Sequence, residues 1–455
     1  MSTRKTRRDF LKATGAAAAA GAAGYWVAPR DLFAQDQPKF PPQSELKSPN
    51  EKVHLAVVGV TGRGGANIDD IKELAHIVAL CDVDDRNLDR QQAAFPKADR
   101  FNDFRKMLES PRQKFDAVLV ATADHCHVPI SAMAMHLGKH VYCEKPLAHN
   151  VYEARYCAEV AKKTKRVTQM GTQIHAEPNY RRTVELVRGG AIGPVSEVHV
   201  FIDKVWSPAN DPPREQVPVP DGLHYDLWLG PAPQQPFRTN MLPANWRKWW
   251  DFGNGTLGDM GCHYMDLPFW ALGLRHPTRV EAEGPPVDAE GTPPWINVHY
   301  DFPARGKQPP VRLTWYDGHD HPPAKMAEWN LPKGWKNGVV FVGTEGRYLF
   351  ADYTQKRLFP AEKFAGFKAP PKSIPESIGH HAEWLRAIKL NDPSLTTCNF
   401  DYSGALSEAV LLGNVAYRTG KPLEWDAKNL RATNAPEAAK FIRREYRKGW
   451  DLVVA

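Results

Sequence analysis

The chain has 455 residues, more than one hydrophobic core usually organises, and 42% hydrophobic with 24% charged residues read as a soluble, globular protein of two or three domains. Its formal charge of +7 is unevenly spread: residues 1–34 hold six Lys/Arg against two Asp/Glu, which leaves the body near +3. A body so close to neutral excludes the electrostatic footprint of a nucleic-acid binder.

The first segment, MSTRKTRRDFLKATGAAAAAGAAGYWVAPRDLFAQ, pairs Arg7 and Arg8 with Phe10, Leu11 and Lys12. A weakly apolar run to Ala28 and a small residue, Ala34, at a cleavage point follow. This is the expected form of a twin-arginine export signal over residues 1–34, and it predicts a periplasmic or otherwise exported protein handled by the twin-arginine machinery. A basic tail with an Ala-rich helix is the plainer reading. No later stretch offers the ~20 unbroken apolar residues of a membrane span, so the mature protein is expected to be soluble unless the leader stays as an anchor. Six cysteines without CxxC spacing are expected as buried free thiols.

From residue 53 the chain alternates as a doubly wound α/β fold does. VHLAVVGV is an apolar run too short for a helix, and IVALCDVD, FDAVLVATAD and KHVYCEKP repeat the form with helical stretches between them. Such alternation implies a parallel sheet with ligands beyond the carboxyl ends of its strands. There GVTGRGGAN places Gly59, Gly62 and Gly64 between strand and helix, where backbone approaches a pyrophosphate. Thr61 stands where strict G-x-G-x-x-G has its middle glycine, and Thr61 and Arg63 are cofactor-binding candidates beside the glycines. Asp82, 23 residues after Gly59, is placed to accept from ribose hydroxyls and to repel a 2′-phosphate, which favours NAD over NADP. Lys145, at the end of YCEKP, is expected in the nicotinamide crevice, where its charge favours the alkoxide that precedes hydride loss.

Beyond the fourth strand, the stretch from Lys204 to Trp250 holds nine prolines and five tryptophans. It reads as a long excursion whose indoles either stack on sugar C–H surfaces or pack it onto the body; Trp246 and Arg247 are its substrate-binding candidates. In GDMGCHYMD, Asp259 and His263 share a helix face four residues apart. His263 is a candidate base, Asp259 a residue that orients it or touches substrate, and Asp266 a supporting residue. WINVHYDF, VRLTWYDG and GVVFVGTEGRYLFAD suit an antiparallel sheet. His319 and His321 lack a third ligand and are expected in a loop, so no metal is expected. HHAEWLRAIKL, ALSEAVLLGNVAYRTG and EAAKFIRREYRKGW carry helical patterns.

Taken in order, GVTGRGG, CDVDDR, ATADHCH, GKHVYCEKPLA and GNGTLGDMGCHYMD resemble the glucose-fructose oxidoreductase, inositol dehydrogenase and rhizopine-catabolism (Gfo/Idh/MocA) family over roughly residues 51 to 430. The resemblance implies an NAD-binding Rossmann domain over 51–171 and an α+β substrate and oligomerisation domain with an open, mostly antiparallel sheet over 172–455. It implies a catalytic Lys145 and a D-x-x-x-H pair at Asp259 and His263. Thr122, His127 and Glu144 would lie at the cofactor, and Gln173 and His175 near the substrate where the chain enters the second domain. ATADHCH departs from the commoner TPDH form, with Ala123 in place of proline. A homo-oligomer is a further expectation of the family.

Export and a nicotinamide cofactor conflict, because no large free NAD pool reoxidises NADH outside the cytoplasm. The leading expectation is therefore an exported enzyme with tightly held NAD acting on a sugar or polyol, in a redox-neutral cycle like the family's aldose oxidoreductases or oxidation–elimination glycosidases. An ordinary dehydrogenase with an external acceptor and a catalytically silent binding protein are the other readings. Intact Lys145, Asp259 and His263 argue against the last.

Overall fold

Each apolar run of the first third becomes a strand covered on both faces, as continuous burial without alternation requires. The computed structural model describes residues 52–452, apart from 112, 113, 210, 212, 213, 319–322, 330 and 332–334. The export signal and the His319/His321 pair therefore lie outside the described residues. Strands β1 (Val53–Val58), β2 (Ala75–Cys81), β3 (Asp99–Phe101), β4 (Ala117–Val120), β5 (His140–Cys143) and β6 (Thr168–Met170) form a parallel sheet in the order β3-β2-β1-β4-β5-β6. The order reverses between β1 and β4, which opens a crevice at their carboxyl ends. Around it stand α1 (Arg63–Ile71), α2 (Asp85–Ala94), α3 (Phe104–Glu109), α4 (His127–His136) and α5 (Val151–Thr164). Asp84, Asp103 and Asn150 cap α2, α3 and α5 through their side chains.

After α6 (Pro178–Arg188) the chain enters a nine-stranded sheet through β7 (Glu197–Ile202), then makes the excursion that contains α7 (Tyr225–Leu229). Helices α8 (Gly255–Tyr264) and α9 (Asp266–Leu272) follow, with a break at Met265, so Asp266 belongs to a new helix and not to a further turn of the one carrying His263. The sheet is completed by β8 (Arg279–Glu283), β9 (Asn297–Phe302), β10 (Val311–Asp317), β11 (Asn337–Val342), β12 (Tyr348–Ala351), β13 (Lys356–Phe359), β14 (Leu423–Asp426) and β15 (Arg431–Ala432). It is antiparallel except where β10 lies parallel to β7.

The C-terminal third returns to the first sheet. Trp384, Leu385 and Ile388 of α10 (His380–Leu390) pack in one core with Leu55, Val57 and Ile68, and α11 (Phe400–Thr419) lies along α5. Gly420 ends α11 in the left-handed conformation, as its sequence position predicts. EAAKFIRREYRKGW is helical only through α12 (Ala439–Ile442), because residues 443–450 are drawn out by tertiary contacts. All six cysteines are buried free thiols. Among the described residues no helix is long and apolar enough to cross a membrane.

Candidate active site

A cleft of about 1320 Å³ runs from the end of β2, past the β1–α1 turn, to the ends of β4 and β5 and on to α8. Pockets for drug-sized ligands span ~300–1,000 Å³, so this one has room for a dinucleotide and a second molecule. Gly59, Thr61, Gly62, Arg63, Asp82, Thr122 and Glu144 all line it. Gly62 has φ +58°, and a Cβ there would meet nothing within 4 Å, so bare backbone faces open space at the start of a helix that no side chain caps. That is the surface a pyrophosphate requires. Gly64 points away from the cleft; a Cβ on it would fall 1.9 Å from the Gly59 carbonyl oxygen, so its role is to let α1 close onto β1.

Asp82 accepts from the backbone N–H of Val60 at 3.0 Å and of Asp84 at 3.0 Å, and from the Asn87 amide at 3.2 Å. Burial pushes its carboxyl up, against the pull of these donors. It thus braces the turn while lining the cleft. Glu144 accepts from Arg63 (3.2 Å), Asn67 (2.9 Å) and Gln173 (2.9 Å), and so ties β5 to α1 and to the entry of the second domain. These residues fit a dinucleotide: glycine backbone and an uncapped helix for its phosphates, and a carboxylate at the second strand for a ribose.

At the other end Lys145 lines the cleft with Nζ 2.6 Å from Asp259 Oδ1 and 3.0 Å from the Asp259 carbonyl oxygen. Asp259 Oδ2 accepts from Lys204 Nζ and Trp206 Nε1, both at 2.7 Å, and Arg247 Nε lies 3.2 Å from Oδ1. Burial alone would raise the Asp259 carboxyl, but Lys145, Arg247 and Lys204 outweigh it and hold the group well below the ordinary range. His263, one turn along α8, also lines the cleft. Burial and then the Lys145 charge push its imidazole down to about 3 despite Asp259, so it is neutral at physiological pH. Its Nδ1 is sealed without a partner. Asp259 is committed to cations and an indole and does not hold the His263 ring.

Besides Gly64, three expected site residues differ from expectation in detail. His127 does not line the cleft: its Nδ1 lies 2.7 Å from the Pro146 carbonyl oxygen and its Nε2 3.1 Å from that of Thr122, so it braces the two strand ends that carry Thr122 and Lys145. His175 is 1% exposed behind the wall, with Nδ1 2.9 Å from both Asp266 oxygens and its ring stacked on Trp270 at 3.9 Å. Asp266 also accepts from Tyr402, which seals this group beneath α8. Asp259 lies just beneath the cleft lining. Of the five tryptophans in the excursion, Trp228 and Trp246 line the cleft, Trp206 binds Asp259, and Trp249 and Trp250 are buried in packing. Gln173, Trp246 and Arg247 are in the lining.

Several site groups escaped the sequence. Asp124 is buried in the lining, accepts from Asn254 at 3.3 Å, and is pushed by burial to about 7 against the Arg247 and Lys145 charges. Its position at the end of a parallel strand in ATADHCH was the available signal. Lys204, at the end of β7, carried a similar one. Tyr353, which lines the cleft beside His263 at 6.1 Å between ring centroids, comes from a loop that no local pattern marks.

Residues 53–172 match the profile of the oxidoreductase family's NAD-binding Rossmann fold, and residues 195–308 that of the same family's C-terminal alpha/beta domain. Among curated proteins, the chain is 26% identical to a myo-inositol 2-dehydrogenase of Thermotoga maritima over 39% of this chain and 52% of that one. It is 28% identical to an alpha-N-acetylgalactosaminidase of Shewanella oneidensis over 41% and 43%. The chain thus spans about half the length of the curated relatives it matches. Among solved structures, the WlbA dehydrogenase of Bordetella pertussis, in complex with NADH and UDP-GlcNAcA, superposes with a TM-score of 0.59 at 15% identity over 83% of this chain and 99% of that one, a likeness of fold. With both domains of one family matched in sequence around a cleft built for a dinucleotide, the chain belongs to the Gfo/Idh/MocA oxidoreductases and carries their NAD-binding Rossmann domain.

Proposed function

We propose that this is an exported carbohydrate oxidoreductase that keeps its NAD and works in a redox-neutral cycle, as an aldose oxidoreductase or an oxidation–elimination glycosidase does. The observation that carries the oxidoreductase chemistry is Lys145 Nζ, 2.6 Å from an ionised Asp259 and in the same cleft as a neutral His263, while cofactor retention and the redox-neutral cycle are argued from export. The names of the relatives, a polyol dehydrogenase and a glycosidase, support a sugar or polyol substrate. The paired arginines at Arg7 and Arg8 support export.

NAD, when bound, supplies the hydride acceptor. The Gly59–Gly64 turn and the start of α1 would hold its phosphates, Asp82 its adenosine ribose, and Thr122 and Glu144 its nicotinamide half. Lys145 places positive charge beside the substrate hydroxyl and stabilises the alkoxide. Asp259 fixes the ammonium in place through its carboxylate and its backbone carbonyl. His263, neutral and edged into the cleft, accepts from the hydroxyl and takes its proton as hydride departs, although an imidazole held at about 3 is a weaker base than an ordinary histidine. Trp246 offers an apolar face and Arg247 a polar contact to the sugar.

The test is to denature the purified protein and identify released nucleotide by mass, then to follow reduction of the bound cofactor in a single turnover with a panel of sugars and polyols. Near-stoichiometric NAD that is reduced and reoxidised without an added acceptor supports the reading. NAD that is reduced once and stays reduced points to an ordinary dehydrogenase, and a protein that neither holds nor binds NAD overturns both.

A further inference from the structure

The excursion is more than a packed loop, because one side of it lies along the whole nucleotide cleft. Leu223 forms an antiparallel bridge with Asp84, two residues beyond Asp82. The His224 N–H donates to the Val83 carbonyl at 2.8 Å, and the Asp85 N–H to that of Gly222 at 2.9 Å. The excursion is thereby stitched to the ribose end of the Rossmann sheet. Pro220, Leu223, Leu227, Trp228 and Phe237 line the cleft together with Asp82 and Val83. Farther along, Leu242, Trp246 and Arg247 carry the same wall to Lys145.

A second segment holds this wall from behind. Residues 443–450 leave α12 as irregular chain with a turn at 448–449, although their sequence pattern is helical, and bond to the excursion. Arg447 Nε donates to the Gly230 carbonyl at 2.9 Å, Nη2 to that of Asp226 at 2.7 Å and Nη1 to Gln234 Oε1 at 2.7 Å, while its guanidinium pairs with the Asp226 carboxylate. Trp450 is buried on the Rossmann side, with the Arg105 guanidinium 4.0 Å from its ring centroid and the Phe104 ring 6.0 Å away. Phe104 itself lines the cleft. Arg444 donates to the His125 carbonyl at 2.7 Å and pairs with Glu153 at 3.0 Å. The tail thus bridges excursion and Rossmann helices, and it lies outside both family profiles.

We infer that the excursion supplies a second, apolar wall of the adenosine half of the NAD site, and that residues 443–450 latch this wall so that the nucleotide leaves only when the latch opens. The inference rests on the reading that NAD is retained, and it names the residues that retain it. An adenine seated between Leu223 and Phe237 on one side and the end of β2 on the other cannot depart along the cleft while Leu223 stays bridged to Asp84. Swinging the wall outward breaks the Arg447 fork and unseats Trp450.

The test uses the full-length protein as isolated with its nucleotide. Radiolabelled NAD is loaded, chased with excess unlabelled NAD, and its release timed in wild type, Arg447→Ala and Trp450→Ala, with backbone hydrogen exchange followed at residues 220–232. Hydrogen bonds to a charged group contribute more than neutral ones, so losing the fork should speed release by about tenfold or more and raise exchange in 220–232. If wild type and variants hold NAD and release it at the same rate, the latch is overturned while retention stands. If wild type exchanges its NAD as fast as it is mixed, retention itself fails. Should the alanine variants not fold, Arg447→Lys and Trp450→Phe are used, and hydrogen exchange of wild type with and without NAD is compared. The latch requires segments 220–232 and 443–450 to gain protection together, and protection confined to the Rossmann turn overturns it.

Discussion

Lys145, Asp259 and His263 divide one task. Asp259 receives three cations and an indole, so it cannot also steer the imidazole, and His263 is left as a neutral acceptor beside the Lys145 charge. Lys145→Met and His263→Ala should keep their NAD and lose turnover by about 10²- to 10⁴-fold, the usual worth of a positioned acid or base. Cofactor content and single-turnover reduction check this, and a variant that reduces its NAD at the wild-type rate is not in the hydride step. Asp82 has a double duty that its position in the sequence did not disclose. Asp82→Ala should relax the preference for NAD over NADP and also weaken NAD itself, because the Val60 and Asp84 N–H groups lose their acceptor. Asp82→Asn keeps an acceptor for that turn and should relax selectivity with a smaller loss of NAD affinity. Equal NAD/NADP selectivity in both variants and wild type would place the discriminating acid elsewhere.

At the scale of elements, the parallel strands were legible because a strand buried on both faces must be continuously apolar, and few other short elements look that way. The short β3 and β6, Asp99–Phe101 and Thr168–Met170, carry no such run and are strands only through their neighbours. The helical pattern of residues 443–450 lost to the partners of Arg444, Arg447 and Trp450, since tertiary contacts override local propensity. Helix α10 was legible as a helix but not as part of the Rossmann core. Trp384, 0% exposed among the strands of that sheet, should destabilise the protein by about 3–5 kcal/mol when changed to alanine. Denaturant unfolding followed by Rossmann-domain signals measures it, and a loss confined to the second sheet would contradict the packing.

At the scale of the molecule, buried histidines set the acid limit. Burial pushes His125 and His263 to about 3, His140 to about 4, and His149 and His380 well below the ordinary 6.5. The unfolded chain binds these protons near pH 6.5 and the folded one does not, so stability present above 6.5 is lost as pH falls toward the folded values. Asp124 and Asp317, held at about 7 by burial, act oppositely: their contribution is present below 3.8 and lost as pH rises through 7. The histidines outnumber them, so the Tm should fall between pH 6.5 and 4.5, as calorimetry would register; a Tm that rises over that window would mean these imidazoles are charged in the folded protein. Export is proposed from the leader alone. Arg7→Lys with Arg8→Lys should stop export and leave folded, NAD-loaded protein in the cytoplasm, because the signal is read by a receptor outside the core. Normal export of that variant would remove the assignment.

The sequence by itself determined the chemistry-bearing positions that depend on local form: a glycine turn after a buried strand, an acid at the next strand's end, a lysine where another strand stops, and an aspartate and histidine one helical turn apart. Each is specified by neighbours within a few residues, so each could be read from them. The tertiary structure decided which of these touch one another and which touch the cleft. It seated His127 on two carbonyls and His175 on Asp266, brought Lys204 and Arg247 from opposite ends of the excursion onto Asp259, and carried Tyr353 to His263. Most of those partners lie from 12 to 91 residues apart. Their meeting is fixed by sheet order and helix packing, which a run of side chains constrains only when the whole chain is folded.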